Sequence, residues 1–228
     1  MAKVKLGVLA AASGKAGGVI YSRNRGGAYI KNWVKVINPN TPAQSLTRQR
    51  FSTLSSKWKI LTTAERQSWN SATPNFPVID RLGDSIELSG QQLYMQMNRN
   101  LQSISALAIN VAPAPKTVTS PTFVSVTVDT TQFSIDYEPN PLGTNETLII
   151  DASTTKSAGV NYLGRSAFKQ ISVVAAGTVS PADIFARYNA VFGAGTLQVG
   201  AKVFLRMRIV DDLTGIASDT IQDSFIVA

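Results

Sequence analysis

Between positions 21 and 35 the chain alternates rings with cations: Tyr21, Arg23, Arg25, Tyr29, Lys31, Trp33 and Lys35. This is binding chemistry. Guanidinium and ammonium groups donate to carboxylates or phosphates, and the rings supply rigid contact area. Aromatic residues and Arg are enriched at protein interfaces, and base stacking would draw on the same side chains. Bond-making chemistry has little to work with. There is no histidine and no cysteine, so a thiolate nucleophile, a disulfide and a Cys/His zinc site are excluded, and the commonest general base is missing. Gly14-Lys15 is followed by Ala16, and Leu9 stands where a phosphate loop needs its first glycine. The adjacent acids Asp211-Asp212 precede Leu213-Thr214-Gly215 and read as a solvated turn. Asp80, Asp84 and Glu87 lack the spacing of a metal loop, and no Gly-x-Ser-x-Gly nucleophile motif occurs. The expectation is a non-enzymatic protein with no catalytic residue, metal or cofactor. Its candidate partner-binding residues are the seven named above.

Charge is distributed unevenly. The net formal charge is +8, yet no acid occurs before Glu65, while Lys3, Lys5, Lys15, Arg23, Arg25, Lys31, Lys35, Arg48, Arg50, Lys57 and Lys59 all precede it. Such asymmetry implies two modules with different tasks. The basic module suits an acidic protein surface, or nucleic acid as the less favoured partner. Charged residues make up 16% of the chain, below the usual quarter, which suits β-rich proteins and assemblies. Leu6 to Ala12 is too short to span a bilayer, so no membrane partner is expected.

Several elements must position these residues. Val19-Ile20-Tyr21 and Ala28-Tyr29-Ile30 flank turn residues and predict a hairpin, and Trp33 to Ile37 alternates like a further strand. Three such strands cannot fold alone, so a partner is expected to complete them. Gly17, Gly18, Gly26 and Gly27 would let a partner backbone approach closely. Thr41-Pro42 with Gln44, and Thr62 with Glu65, predict helix starts. Phe51, Leu54, Trp58 and Leu61 form one apolar stripe. Ser89 caps a third helix carrying Leu93, Tyr94, Met97 and Leu101, with Asn98-Arg99-Asn100 on its polar side. Val111 to Lys116 reads as a proline linker. Strands are predicted at 122–128, 133–137, 147–152, 168–174, 202–210 and 221–227, with a helix opened by Ser180-Pro181. The fold class is α+β: an extended basic arm (1–40), a small helical subdomain (41–112) and an all-β immunoglobulin- or fibronectin III-like sandwich (116–228).

The string Gly14 to Gly27 followed by Asn38-Pro39-Asn40-Thr41-Pro42-Ala43-Gln44 resembles the start of small tailed-bacteriophage virion structural proteins. The same group is matched by Phe51, Leu54 and Trp58, by Leu61-Thr62 with Glu65, Arg66 and Trp69, and by Ser89 to Leu101. Ser157-Ala158-Gly159, Tyr188 to Gly193 and Thr214-Gly215 fit its immunoglobulin-like module. The resemblance implies a virion component in many copies whose partners are other virion proteins. These would be the major capsid protein, if the chain is a decoration or minor capsid protein, or else connector or tail subunits. It carries no catalytic residues with it.

Overall fold

The computed structural model describes residues 2–3, 13–24, 27–35, 37–80 and 82–228. Contacts gather the chain into two compact units, Met1–Leu93 and Tyr94–Ala228. The division runs through a helix. The chain mixes α-helices with antiparallel sheets.

The first unit opens with strands β1 (Ala2–Lys3), β2 (Gly14–Ala16), β3 (Val19–Asn24) and β4 (Gly27–Asn32), in the sheet order β1-β4-β3-β2. The expected hairpin is β3–β4. The expected strand at 33–37 is not formed: Trp33 to Lys35 and Ile37 have no strand pairing, and Val36 lies outside the described residues. The alternation is present, but the partner is not. Trp33 N donates to Gly18 O at 2.7 Å, and there β3 has already given way to the turn at Gly17-Gly18.

Helix α1 (Pro42–Ile60) starts where Thr41 Oγ1 accepts from Gln44 N at 3.4 Å, with Pro42 in the first turn. Lys57 and Lys59 occupy its last turn, where cations favour the helix dipole. The apolar stripe is core only at its C-terminal end. Leu54 and Leu61 are buried and Trp58 is half-buried, but Phe51 is 64% exposed. Spacing aligns residues on one face without supplying what covers it.

Helix α2 (Thr63–Ala72) carries a full capping box. Thr62 Oγ1 accepts from Glu65 N at 3.2 Å, and Glu65 Oε2 accepts from Thr62 N at 2.7 Å. Thr62→Ala is expected to cost about 1 kcal/mol, readable as a lowered midpoint in urea denaturation. The short strands β5 (Val78–Ile79) and β6 (Ser85–Ile86) follow. Their connection is tied by Asp80 Oδ1, which accepts from Leu82 N at 2.6 Å and Asp84 N at 3.1 Å, so this acid serves a turn.

Helix α3 (Gly90–Ser103) begins at Ser89, as expected, with Gln92 N donating to Ser89 Oγ at 3.3 Å. Of Asn98-Arg99-Asn100, expected on the polar side, only Arg99 is exposed. Asn98 is fully buried: Nδ2 donates to Tyr94 O at 3.0 Å and Ile109 O at 3.2 Å, and Oδ1 accepts from Ile109 N at 2.7 Å. A buried amide is retained because the segment after the helix would otherwise leave its own backbone groups unpaired.

In the second unit β7 (Thr122–Val128), β8 (Phe133–Glu138) and β11 (Ala182–Asp183) form one sheet in the order β11-β8-β7. The strands β9 (Glu146–Ser153), β10 (Phe168–Val174), β12 (Lys202–Asp211) and β13 (Ile221–Ile226) form another, ordered β10-β9-β12-β13. Alternate residues of both sheets enter one core. Phe133, Ile135 and Tyr137 come from β8, Leu148, Ile150 and Ala152 from β9, and Val203, Leu205, Met207 and Ile209 from β12. Helix α4 (Phe185–Phe192) adds Tyr188, whose ring lies 5.3 Å from Phe133 and whose Oη donates to Ser153 O at 3.1 Å. The expected helix start at Ser180-Pro181 is misplaced. Ser180 Oγ instead donates to Asp136 Oδ1 at 2.8 Å, Ala182 pairs with Ile135, and the helix begins at Phe185. Pairing to β8 takes the residues that propensity would give to a first helical turn.

The opposite face of the larger sheet is covered at its ends, by burial of Thr147, Ile149 and Val210 at one and Phe204 at the other. The end of α3 supplies part of this cover. Asn100 Nδ2 donates to Gly215 O at 2.9 Å, and Gln170 Nε2 donates to Ser103 O at 3.2 Å. Gly215 has φ +72°, and a Cβ there would meet Met97 O at 2.4 Å, so glycine is required by both conformation and approach. Asp211 is not solvated. It is 1% exposed, and its Oδ1 accepts from Leu213 N at 3.1 Å, Thr214 N at 2.9 Å and Thr214 Oγ1 at 2.9 Å. Its Oδ2 pairs with Lys116 Nζ, which ties the linker segment to this turn.

Candidate interaction surface of the N-terminal sheet

The first sheet is built from short, β-prone segments. Strand β3 pairs with β4 from Val19↔Asn32 to Asn24↔Gly27. Strand β2 adds Lys15↔Ile20 and Ala16↔Val19, and β1 adds Ala2↔Ile30 and Lys3↔Tyr29. Gly17, at φ +58°, turns the chain between β2 and β3, a conformation that costs a residue with a side chain about 1–2 kcal/mol. The paired glycines Gly17-Gly18 therefore have a local task besides any approach to a partner.

Because residues directly opposite one another share a face, the register sorts the side chains. Lys15, Ile20 and Lys31 form one row across three strands, and Ser22 and Tyr29 lie beside it on the same face. Trp33 joins this face through Lys15, whose Nζ stands 4.2 Å from the ring centroid. An exposed cation–π contact of this kind is worth about 0.5–1 kcal/mol. The other face carries Val19, Tyr21, Arg23, Ala28 and Ile30, with Tyr21 directly opposite Ile30. One face thus carries two cations and two rings around Ile20 and Ser22, and the other is mainly apolar.

Of the seven residues read from the sequence, Tyr29, Lys31 and Trp33 come together. Tyr21 and Arg23 lie on the opposite face. Lys35 is exposed beyond the sheet, and Arg25 lies outside the described residues. Lys15 belongs to the first group and was missed. The signal available was its position beside the glycine pair, where a short strand folds back beneath Lys31.

Burial in this sheet is low, as it is in the short β5–β6 pair. Among the residues from Ser13 onward whose burial is described, none before Leu54 is buried. Val19–Ser22 of β3 and Gly27–Lys31 of β4 are of intermediate exposure and none is buried, and beyond them Trp33 is 53% and Ile37 83% exposed. A sheet of this size gains independent stability only when an apolar face is covered. Nor does the sequence supply compensation for its charge, since the nearest acid is Glu65. Arg48 is held by amides, donating to Asn38 Oδ1 at 2.6 Å and Asn40 Oδ1 at 3.3 Å.

Among the described residues no group of three or more His, Cys, Asp or Glu side chains could hold a metal ion, and no helix is long and apolar enough to cross a membrane. Comparisons of the chain with protein-family models, curated proteins and solved structures give no match.

Proposed function

We propose that this chain is a non-enzymatic structural protein of a tailed-bacteriophage particle, capsid-associated and anchored through its N-terminal sheet to acidic surfaces of other virion proteins. The single observation that carries the reading is a paired sheet in which no side chain of β2, β3 or β4 is buried and whose strands contain cations but no acid. Burial of the rings and of the Val19, Tyr21 and Ile30 face would come from the neighbouring subunit, with the lysines fixing encounter and register. The second unit, with two antiparallel sheets meeting in one core, supports an immunoglobulin- or fibronectin III-type module that projects or packs as a spacer. Attachment as a tail or connector component uses the same surface.

DNA binding is the reading from another class, favoured by the same cations. The test is a paired titration of the wild type and of a Lys15→Glu/Lys31→Glu variant. The variant is expected to lose about 10- to 100-fold in association with particles lacking the protein, scored by co-sedimentation, because like charges face each other across a desolvated contact. Wild-type binding to short duplex DNA is expected to be weaker than micromolar at 150 mM salt, near the non-specific range. Micromolar or tighter DNA binding with a steep salt slope, and unchanged particle association in the variant, would replace this reading with the DNA one.

A further inference from the structure

The solvent side of the β10-β9-β12-β13 sheet is not covered evenly. One end carries the buried Ile149 and Val210, and the other carries the buried Phe204. Between them lies a polar row. Arg206 stands directly opposite both Asp151 and Gln222, and Gln170 is opposite Asp151 on its other side. Arg208, two residues along β12, lies on the same face.

Each arginine is fixed at one point and open elsewhere. The Arg206 guanidinium lies 3.7 Å from the Phe168 ring centroid, and its Nε donates to Gln222 Oε1 at 2.8 Å. Arg208 Nη1 donates to Asn100 Oδ1 at 3.3 Å. Among the described residues neither terminal nitrogen of Arg206 and no oxygen of Asp151 takes part in a hydrogen bond. A half-buried carboxylate flanked by two positioned guanidiniums, yet joined to neither, has its acceptors to spare. Further charge is nearby. Burial holds both arginines below their usual pKa, and Arg165 acts in the same direction on Arg206, as Arg99 does on Arg208. Burial likewise pushes the Asp151 carboxyl up, against the pull of Arg208 and Arg206. The group carries an excess of positive charge that an anion would relieve, and an acceptor that a simple anion would not use.

We infer that this row is a binding site for an acidic sugar unit of a polysaccharide, its carboxylate held by Arg206 and Arg208 and its hydroxyls by Asp151. The planar fork of Arg matches a carboxylate, and a carboxylate such as Asp151 accepts from vicinal hydroxyls. Phe168, already stacked with Arg206, and Tyr162, 78% exposed and within electrostatic reach of Arg206, give the apolar side of a sugar ring a surface. This site lies wholly in the second unit and stands or falls separately from the anchoring role of the first.

The test uses the full chain, titrated with sodium glucuronate, sodium N-acetylneuraminate, glucose and sodium acetate and followed by ligand-observed NMR. At least one of the two acidic sugars is expected to bind 10-fold or more tightly than both glucose and acetate. Arg206→Gln is expected to weaken it at least 10-fold and Asp151→Asn at least 5-fold. Exposed Arg165→Gln, which disturbs no packing, is expected to weaken it 2- to 3-fold, and thermal melts establish that each variant is folded. Acetate binding as well as the acidic sugars would make this a plain anion site and overturn the proposal. So would equal binding of glucose, no binding by either acid, or an Asp151→Asn variant that melts normally and binds like the wild type.

Discussion

Deleting residues 1–40 is expected to lower incorporation of the protein into particles by at least about 100-fold while leaving the second unit folded. The magnitude follows from the anchors. Interface residues that act as hot spots are worth about 2 kcal/mol or more each, and Trp and Tyr are prominent among them. Loss of two such anchors is about 4 kcal/mol, nearly a thousandfold in affinity. Tyr21, Tyr29 and Trp33 all leave with the deletion, together with Lys15, Arg23, Lys31 and Lys35. The second unit should be indifferent, because every residue of its core cluster lies between Val118 and Val227. The measurement is the copy number of the truncated protein in purified particles, beside its melting curve in solution. Normal incorporation of a folded truncation would place the anchor elsewhere.

Asp211→Ala should be among the most damaging single substitutions in the second unit. The side chain is 2% exposed and joins the 211–215 turn to Lys116. Its loss leaves the amides of Leu213 and Thr214 without their acceptor in a part-buried turn and removes the partner of a half-exposed lysine. Unsatisfied buried donors cost about 1–3 kcal/mol each, and breaking a buried pair about 3–5. With Lys116 half in water, about 3–4 kcal/mol in total is expected, or a fall in melting temperature of roughly 10 °C for a unit of this size. Asp211→Asn keeps an acceptor for the turn and should cost about half as much.

The same carboxyl gives the unit an acid dependence. Burial pushes Asp211 up, but the bonds from Lys116 and Thr214 outweigh it and hold the group below its usual pKa. A depressed carboxyl contributes stability above its unfolded value, near 3.9, and that contribution is lost as pH falls through the lower folded value. Lys116, raised by its bond to Asp211, contributes below its unfolded value near 10.4 and loses this as pH rises through the folded one. Wild-type stability should therefore fall below about pH 4, and Asp211→Asn should flatten that acid limb in pH-dependent urea melts.

Much of this was legible. The triplets around Tyr21 and Tyr29 became a hairpin, and Thr62 with Glu65 became a full capping box. The alternating runs at 122–128 and 168–174 became β7 and β10. These signals are local, since propensity, caps and period are written in neighbouring residues. What failed depended on distant partners. Trp33 to Ile37 alternates as a strand should, but the hairpin offers it nothing to pair with beyond Gly18. Ser180-Pro181 looks like a helix start until Ala182 is claimed by Ile135. Asn98 and Asp211 look like surface residues because the partners that hold them, Ile109 and Lys116, lie eleven and ninety-five positions away. At the candidate surface the composition was legible, but the sorting into two faces was not. That sorting rests on register, and a shift of one residue exchanges the faces.

The most direct test of an opening sheet completed by another subunit is hydrogen exchange across residues 13–35 in the free protein and in the assembled particle. The account predicts rapid exchange in the free protein, reflecting an opening free energy near zero for an uncovered sheet, and slowing by at least about 100-fold on assembly. Strong protection in the free protein, unchanged in the particle, would contradict it.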